Sequence, residues 1–389
     1  MRVAFHAPLK PPDHAVPSGD RAMARAFLGL LGDLGHTVGP VGRFRTYDRH
    51  GDARRQRRIA ALGGALAARL QHRVEAGRLP RPDLWLTYHC YHKAPDHLGP
   101  AVARGLGLPY VVAEGSVSPR QADGPWAVGH AASLAALAAA DLVLAMTERD
   151  RSGLVAAGLE PDRIRLFPPF LDTAPFRAAD LGRAQHRAAL AERLHLEPDA
   201  PWLLAVGMMR ADVKQRSFEL LARALAGLGN RPWRLIVVGD GPARPGIEAA
   251  LLAAAGERVR LLGTLPGEAL PPIYAACDLL VWPAIGEAYG MVLLEAQAAG
   301  TPVVAGAEGG VPEIVDDGRS GVLVAPIEAE RLAATVAALL DDPERRAALG
   351  RGAAERVLTR HDRPVAARRL EVALHDATLR RTARRGRSE

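Results

Sequence analysis

Short apolar runs recur along the chain, and the stretch after each carries its apolar residues at helical rather than alternating spacing. In the first half RVAFHA opens the series, and a loop through Pro17-Ser18-Gly19-Asp20 leads into a helix over residues 21–34. Gly35-His36-Thr37-Val38 turns into the next strand; LWLTYH, YVVAEGS and LVLAMT follow, each separated by a helical stretch. The second half repeats this order. WLLAVGMM, RLIVVGDGP, VRLLGTL, LLVWPA, PVVAG and GVLVAP read as strands, with helices over 217–228, 246–255, 272–276 and 290–299. Strands alternating with helices predict βαβ units and a parallel sheet. Runs that are apolar throughout are strands buried on both faces, as in doubly wound sheets.

One core rarely grows past about 250–300 residues, so 389 residues predict two domains. The boundaries fall at 1–170 and 171–363, with the linker in IRLFPPFLDTAPF, residues 164–176, where Pro168-Pro169 interrupts regular structure. A last helix is expected over 364–380, packing back on the first domain. The basic stretch 381–389 lacks periodicity and is expected to be a flexible tail.

Composition narrows the class. The two cysteines, Cys90 and Cys277, are far apart, which suits a reducing compartment and excludes a disulfide framework. MRVAFHAP lacks the apolar core of a secretory signal, and no run of about 18 apolar residues occurs, so a cytoplasmic protein is expected. The net charge of +7 suits anionic partners without choosing among them. Nucleic acid is not expected, because the basic tail carries no interleaved aromatic residues. Residues 53–74 read as a helix with Arg54, Arg55, Arg57, Arg58, Arg69 and Arg73 beside a stripe of Ile59, Leu62, Leu66 and Leu70. That pattern suits an ordinary surface helix on the sheet first, and peripheral contact with an anionic membrane at its inner face second.

The candidate chemistry lies in GEAYGMVLLEAQAAGTPVVAGAEGGVPEIV, residues 286–315. Glu287 occupies the loop after a buried strand, and a helix begins at Gly290 and ends at Gly300-Thr301-Pro302. The start of such a helix offers unpaired N–H groups and about half a positive charge, a ready site for phosphate. Glu295 lies about 7.5 Å further along the helix axis. The two carboxylates thus reach different parts of one extended ligand. A second element, AVGMMRADVKQRS (205–217), places Arg210 and Lys214 after a strand that ends at Gly207.

Two glutamates separated by seven residues in this setting, followed by GGVPEIVDDGRSGVLV, resemble the signature of retaining glycosyltransferases of family 4, the group 1 glycosyl transferases. The resemblance implies the GT-B fold: two Rossmann-like domains facing across a cleft that holds a nucleotide-sugar donor. It implies that Glu287 hydrogen-bonds the donor sugar and Glu295 the ribose hydroxyls. Amides near Tyr289, Gly290, Met291 and Val292 would serve sugar and phosphate, and Arg210 and Lys214 would neutralise the diphosphate leaving group. Gln215 departs from the glycine usual in the family. Gly207 belongs to the same donor site, and Gly263 and Thr264 in VRLLGTLP would approach the nucleobase through their backbone. Gly19 would face the phosphates, although an N-cap by Ser18 or Asp20 explains that turn equally well.

On the acceptor side, LWLTYHCYHKAPD places His89 and His92 at a strand's carboxyl end, with Lys93 and Asp96 nearby. Family members have a histidine after the next strand; here Gly115 stands in that slot between Glu114 and Ser116, and Glu114 is the candidate to position the acceptor. No Asp-x-Asp motif occurs, and His-x-x-His lacks a third ligand in sequence, so no metal or cofactor is expected beyond the donor. VVGDGPARPG is a poor dinucleotide fingerprint, since prolines interrupt the helix start. The expected reaction is sugar transfer from a nucleoside diphosphate to an acceptor hydroxyl (lipid, saccharide or small molecule), in envelope, lipid or polysaccharide glycosylation. A GT-B epimerase or phosphorylase, or a non-catalytic nucleotide-sugar-binding protein, is the alternative.

Overall fold

The computed structural model describes residues 1–16, 18–40 and 42–386. It divides into two units, residues 1–168 with those from Pro364 onward, and Pro169–Arg363. The first contains β1 (Arg2–His6), α1 (Gly19–Asp33), β2 (Thr37–Pro40), α2 (Ala53–Glu75), β3 (Leu84–Cys90) and α3 (Gly99–Leu106). It continues with β4 (Tyr110–Gly115), α4 (Ala127–Ala139), β5 (Leu142–Ala145), α5 (Glu148–Ala156) and β6 (Ile164–Leu166). The second unit runs through α6 (Ala174–Leu181), α7 (Arg183–Leu194), β7 (Trp202–Val206), α8 (Val213–Ala226), β8 (Arg234–Val238), α9 (Arg244–Ala255), β9 (Val259–Leu261) and α10 (Leu270–Ala276). Then come β10 (Leu279–Trp282), α11 (Met291–Ala298), β11 (Val303–Gly306), α12 (Val311–Ile314), β12 (Gly321–Val324), α13 (Ala329–Leu340) and α14 (Pro343–Arg360). The last helix, α15 (Arg363–Arg385), belongs almost wholly to the first unit.

Each unit is a six-stranded parallel sheet. The orders are β2-β1-β3-β4-β5-β6 and β12-β11-β10-β7-β8-β9. In the second sheet the order reverses between β7 and β10, the kind of switch point outside whose strand ends open α/β sheets bind ligands. Every residue of β7 and of β10 is buried, as central parallel strands covered by helices on both faces must be.

Two elements depart from the sequence expectation, and a third, α2, forms where expected. Residues 164–176, expected as linker, contain edge strand β6 and the start of α6. Only Ile164 of β6 is buried, so no apolar run announces it. The last helix continues past 380 through Arg385, which corrects the expected flexible tail over most of its length; residues 387–389 lie outside the described residues. Tertiary bonds supply what periodicity does not: Arg380 reaches Asp162 and Asp376, and Arg384 reaches the buried Asp141. Finally, α2 buries only Gln56, Gly63 and Ala67, and Leu62 of its apolar stripe is 53% exposed. No helix among the described residues is long and apolar enough to cross a membrane.

Candidate functional site

The loop leaving β10 is built residue by residue. Ala284 takes a left-handed φ of 58° although it is not glycine. Such a residue costs roughly 1–3 kcal/mol of strain that surrounding contacts must hold. Those contacts are present: the Ile285 amide donates to Ser217 Oγ at 3.1 Å, and the Gly286 amide to Glu308 at 3.1 Å. Gly310 donates to the Ala288 carbonyl at 2.8 Å, and Gly309 lies against the Glu287 carbonyl so closely that a Cβ would sit 1.9 Å from its oxygen.

This scaffold delivers Glu287 to Lys214. The Lys214 ammonium donates to Glu287 Oε1, and both side chains are about 15% exposed. Trp282, the last residue of β10 and fully buried, donates its indole N–H to the same carboxylate oxygen at 3.1 Å. Lys214 Nζ lies 5.3 Å from the indole centroid, within cation–π range. The ring also explains Gly207: a Cβ there would approach Trp282 to 3.1 Å. Carboxylate, ammonium and aromatic ring therefore meet at the carboxyl ends of β7 and β10.

Arg210 lies in the loop between β7 and α8, just before Lys214 in the first turn of that helix; it is half-exposed, with its guanidinium 3.1 Å from Asp212. Asp212 in turn caps α8 by accepting from the Lys214 amide at 2.8 Å. Gly290, at φ 78°, precedes α11, and no side chain caps that helix. The first-turn amides of Met291 and Val292 thus keep the free donor capacity of a helix start. Tyr289, Met291 and Val292 are half-buried against the core. Glu295 is held by Tyr274, whose phenol donates to it at 2.7 Å. Burial pushes Glu295 up to about 7, with the phenol pulling the other way. Gly263 has φ 69°, and its carbonyl accepts from the Gly239 amide at 2.9 Å; Thr264 follows it, exposed.

The family model for group 1 glycosyl transferases matches residues 200–342, the segment that contains this entire constellation. D-inositol 3-phosphate glycosyltransferase 1 of Catenulispora acidiphila is 34% identical over 306 residues, which cover 72% of this chain and 69% of that protein. This chain belongs to the group 1 glycosyltransferases.

The transferase is also 37% identical over 231 residues to the D-inositol 3-phosphate glycosyltransferase of Salinispora tropica, spanning 56% of this chain and 47% of that relative. Its fold is that of GT-B enzymes. Anabaena Alr3699/HepE, solved in complex with UDP, superposes with a TM-score of 0.74 at 18% identity, covering 96% of this chain and 100% of that one.

In the first unit of the transferase, His89 and Glu114 stand at the ends of β3 and β4, both in the left-handed region at φ 63° and 57°. His89 Nδ1 is 3.2 Å from Asp20 and 3.7 Å from Glu114. Burial opposes a charged imidazole, but the Glu114 charge and the Asp20 hydrogen bond outweigh it and raise the His89 pKa. Burial raises Glu114 as well, against the pull of His89. Asp20 is the partner that sequence reading left out. Of the two explanations for the first turn, Ser18 is the N-cap, accepting from Arg21 at 3.3 Å, while Gly19 adopts no special φ. His92 lies edge-on to Tyr91 and Trp126, and burial lowers it to about 4. Asp96 is core: it accepts from Thr87, Tyr110 and the amides of Leu98 and Gly99. A Cβ at Gly115 would lie 2.5 Å from a Leu137 methyl, so any side chain there requires Leu137 to shift. Among the described residues no group of three or more His, Cys, Asp or Glu could hold a metal ion.

Trp282, Tyr274, Asp212, Glu308 and Gly309 were not singled out from sequence. Trp282 could have been found, since it ends a buried strand beside the Glu287 loop. Asp212 is a local cap of α8, whereas Tyr274, Glu308 and Gly309 are defined by partners distant in the chain.

Proposed function

We propose that the enzyme moves a hexosyl group from a nucleoside diphosphate sugar to an acceptor hydroxyl with retention of anomeric configuration. The observation that carries this reading is the Lys214–Glu287 pair seated on Trp282 at the switch point between β7 and β10. Glu287 accepts from hydroxyls of the donor sugar. Lys214 has N–H donors to spare beyond its bond to Glu287. With Arg210 it neutralises the diphosphate as the anomeric carbon–oxygen bond breaks. The amides of Tyr289, Gly290, Met291 and Val292 donate to sugar and phosphate, as an uncapped helix start favours. Glu295 takes the ribose hydroxyls, and the backbone at Gly207, Gly263 and Thr264 borders the nucleotide.

In the reaction the acceptor oxygen bonds the anomeric carbon on the face the diphosphate leaves, and the acceptor's proton passes to the departing phosphate oxygen. His89 and Glu114, with Asp20 behind them, orient the acceptor, and His92 flanks them. No divalent cation is required, because Arg210, Lys214 and the α11 amides stabilise the developing charge. The relatives named as D-inositol 3-phosphate glycosyltransferases make that compound the first acceptor to assay, before lipid and saccharide hydroxyls of the cell envelope. Peripheral contact with an anionic membrane would fall to α2, whose Arg54, Arg55, Arg57 and Arg58 are exposed.

The test is direct assay of UDP-, GDP- and ADP-sugars against these acceptors, with product configuration read by NMR and with EDTA present. Transfer with retention, undiminished by chelation, is expected. An inverted product would overturn the stereochemical assignment, and loss of turnover in EDTA the metal independence.

A further inference from the structure

We propose that Tyr274 is a positioning residue for the nucleotide: its phenol grips one oxygen of Glu295 and presents the other, ionised, to the ribose diol. This deepens the reading of Glu295 as the ribose ligand and rests on it.

Tyr274 is fully buried in α10, where phenylalanine would pack without a polar tip to satisfy. Its phenol instead donates to Glu295 Oε2 at 2.7 Å. The residue is held at its backbone too, since its carbonyl accepts from Thr301 Oγ1 at 2.6 Å, and the Phe176 ring lies 6.1 Å from its own. The phenol, fixed at the ring and at the backbone, has one orientation to offer. A carboxylate oriented in this way can receive two hydroxyls of one sugar without first losing rotamer freedom.

The same contact governs charge. Burial is the larger influence on Glu295 and disfavours its ionised form; the phenol bond favours it. Burial and the Glu295 charge raise Tyr274 well above its usual range, so the phenol stays a donor. Five charged groups on the neighbouring elements bond elsewhere. Asp180 of α6 pairs with Arg183 of α7, which also donates to the carbonyls of Cys277 and Ala299. Arg187 of α7 pairs with Asp278, Arg346 of α14 bonds the carbonyls of Leu339 and Leu340, and Lys214 pairs with Glu287. Ribose hydroxyls donate to a carboxylate and lose that acceptor when it is protonated. Nucleotide affinity should therefore climb as pH rises through about 7 and level off above it. Without the phenol the climb moves to higher pH.

The experiment is calorimetric titration of the full chain with UDP, GDP and ADP, from pH 5.5 to 9, for wild type, Tyr274→Phe and Glu295→Gln. The wild type is expected to gain about tenfold in affinity per pH unit below the inflection. Tyr274→Phe should bind about tenfold more weakly at pH 7 and recover in part at pH 9; Glu295→Gln should bind weakly and without the inflection. A Tyr274→Phe loss that is uniform across pH, or a profile superimposed on wild type, overturns the role of Tyr274. Wild-type affinity in Glu295→Gln, or no binding of any nucleotide by wild type, overturns the ribose reading itself. An infrared carboxyl band, absent in Glu295→Gln and titrating at higher pH in Tyr274→Phe than in wild type, checks the same shift in unliganded protein. Unchanged titration of that band overturns the proposal even where a variant binds nothing.

Discussion

Lys214 and Glu287, 73 positions apart, form an ion pair over the indole of Trp282. Lys214 opens α8, after the loop that leaves β7, and Glu287 sits in the loop that leaves β10, the adjacent strand of the same sheet. The geometry makes them a unit rather than two separate contributors.

Substitution should behave accordingly. Lys214→Ala and Glu287→Ala are each expected to lower kcat by about 10²–10³-fold, the range for removing one preorganised charge or donor. The double variant should be little worse than either single one, as for groups that act together. Steady-state kinetics decide it: losses that multiply would mean that the two residues act independently.

Gly309 provides a more remote test. At φ 59°, with the Glu287 carbonyl 1.9 Å from where a Cβ would be, alanine must displace the loop that carries Glu287. Gly309→Ala should cut kcat about 10–100-fold through misplacement, with the circular dichroism of the sheets retained. Unaltered turnover would show that the loop's path does not set the position of the carboxylate.

His89 imposes a pH dependence on stability. Its pKa in the folded chain is raised above 6.5, so the stabilisation is complete below about pH 6.5 and is lost as pH rises through the folded value. Asparagine tolerates the left-handed φ at this position, which makes His89→Asn the suitable variant. Urea unfolding at pH 5.5 and pH 9 should give a wild-type advantage that shrinks with rising pH. A widening advantage would contradict the assigned partners.

The buried Asp141 accepts from the Tyr110 amide and from Arg384 of α15. Because the arginine side chain is 42% exposed, solvent screens much of the pair. Arg384→Ala is expected to cost only about 1 kcal/mol, measured by denaturant titration. A loss several times larger would mean that α15 depends on this one contact to stay docked.

The second sheet was legible because β7, β10 and β11 are runs without a polar interruption, a pattern that parallel strands covered on both faces require. Edge strand β6 was not, since two of its three residues face solvent. The donor loop was legible through Glu287, Gly290 and Glu295, whose spacing along one loop and one helix is local geometry. On the other side of the chain, local order misled: Asp96, four residues from His92, is a core acceptor, while Asp20, far from His89 in sequence, is its closest carboxylate.

Sequence by itself determined the alternation of strands and helices, the helix start at Gly290 and the residue types able to meet a diphosphate, because each depends on neighbours within a few positions. Tertiary structure alone decided which of those residues touch. Trp282 beneath the Lys214 pair, Tyr274 against Glu295 and Gly115 walled in by Leu137 are contacts between chain segments brought together by the order of strands in a sheet. That order is set by which apolar faces bury one another, a property of the whole fold that no short window of residues contains.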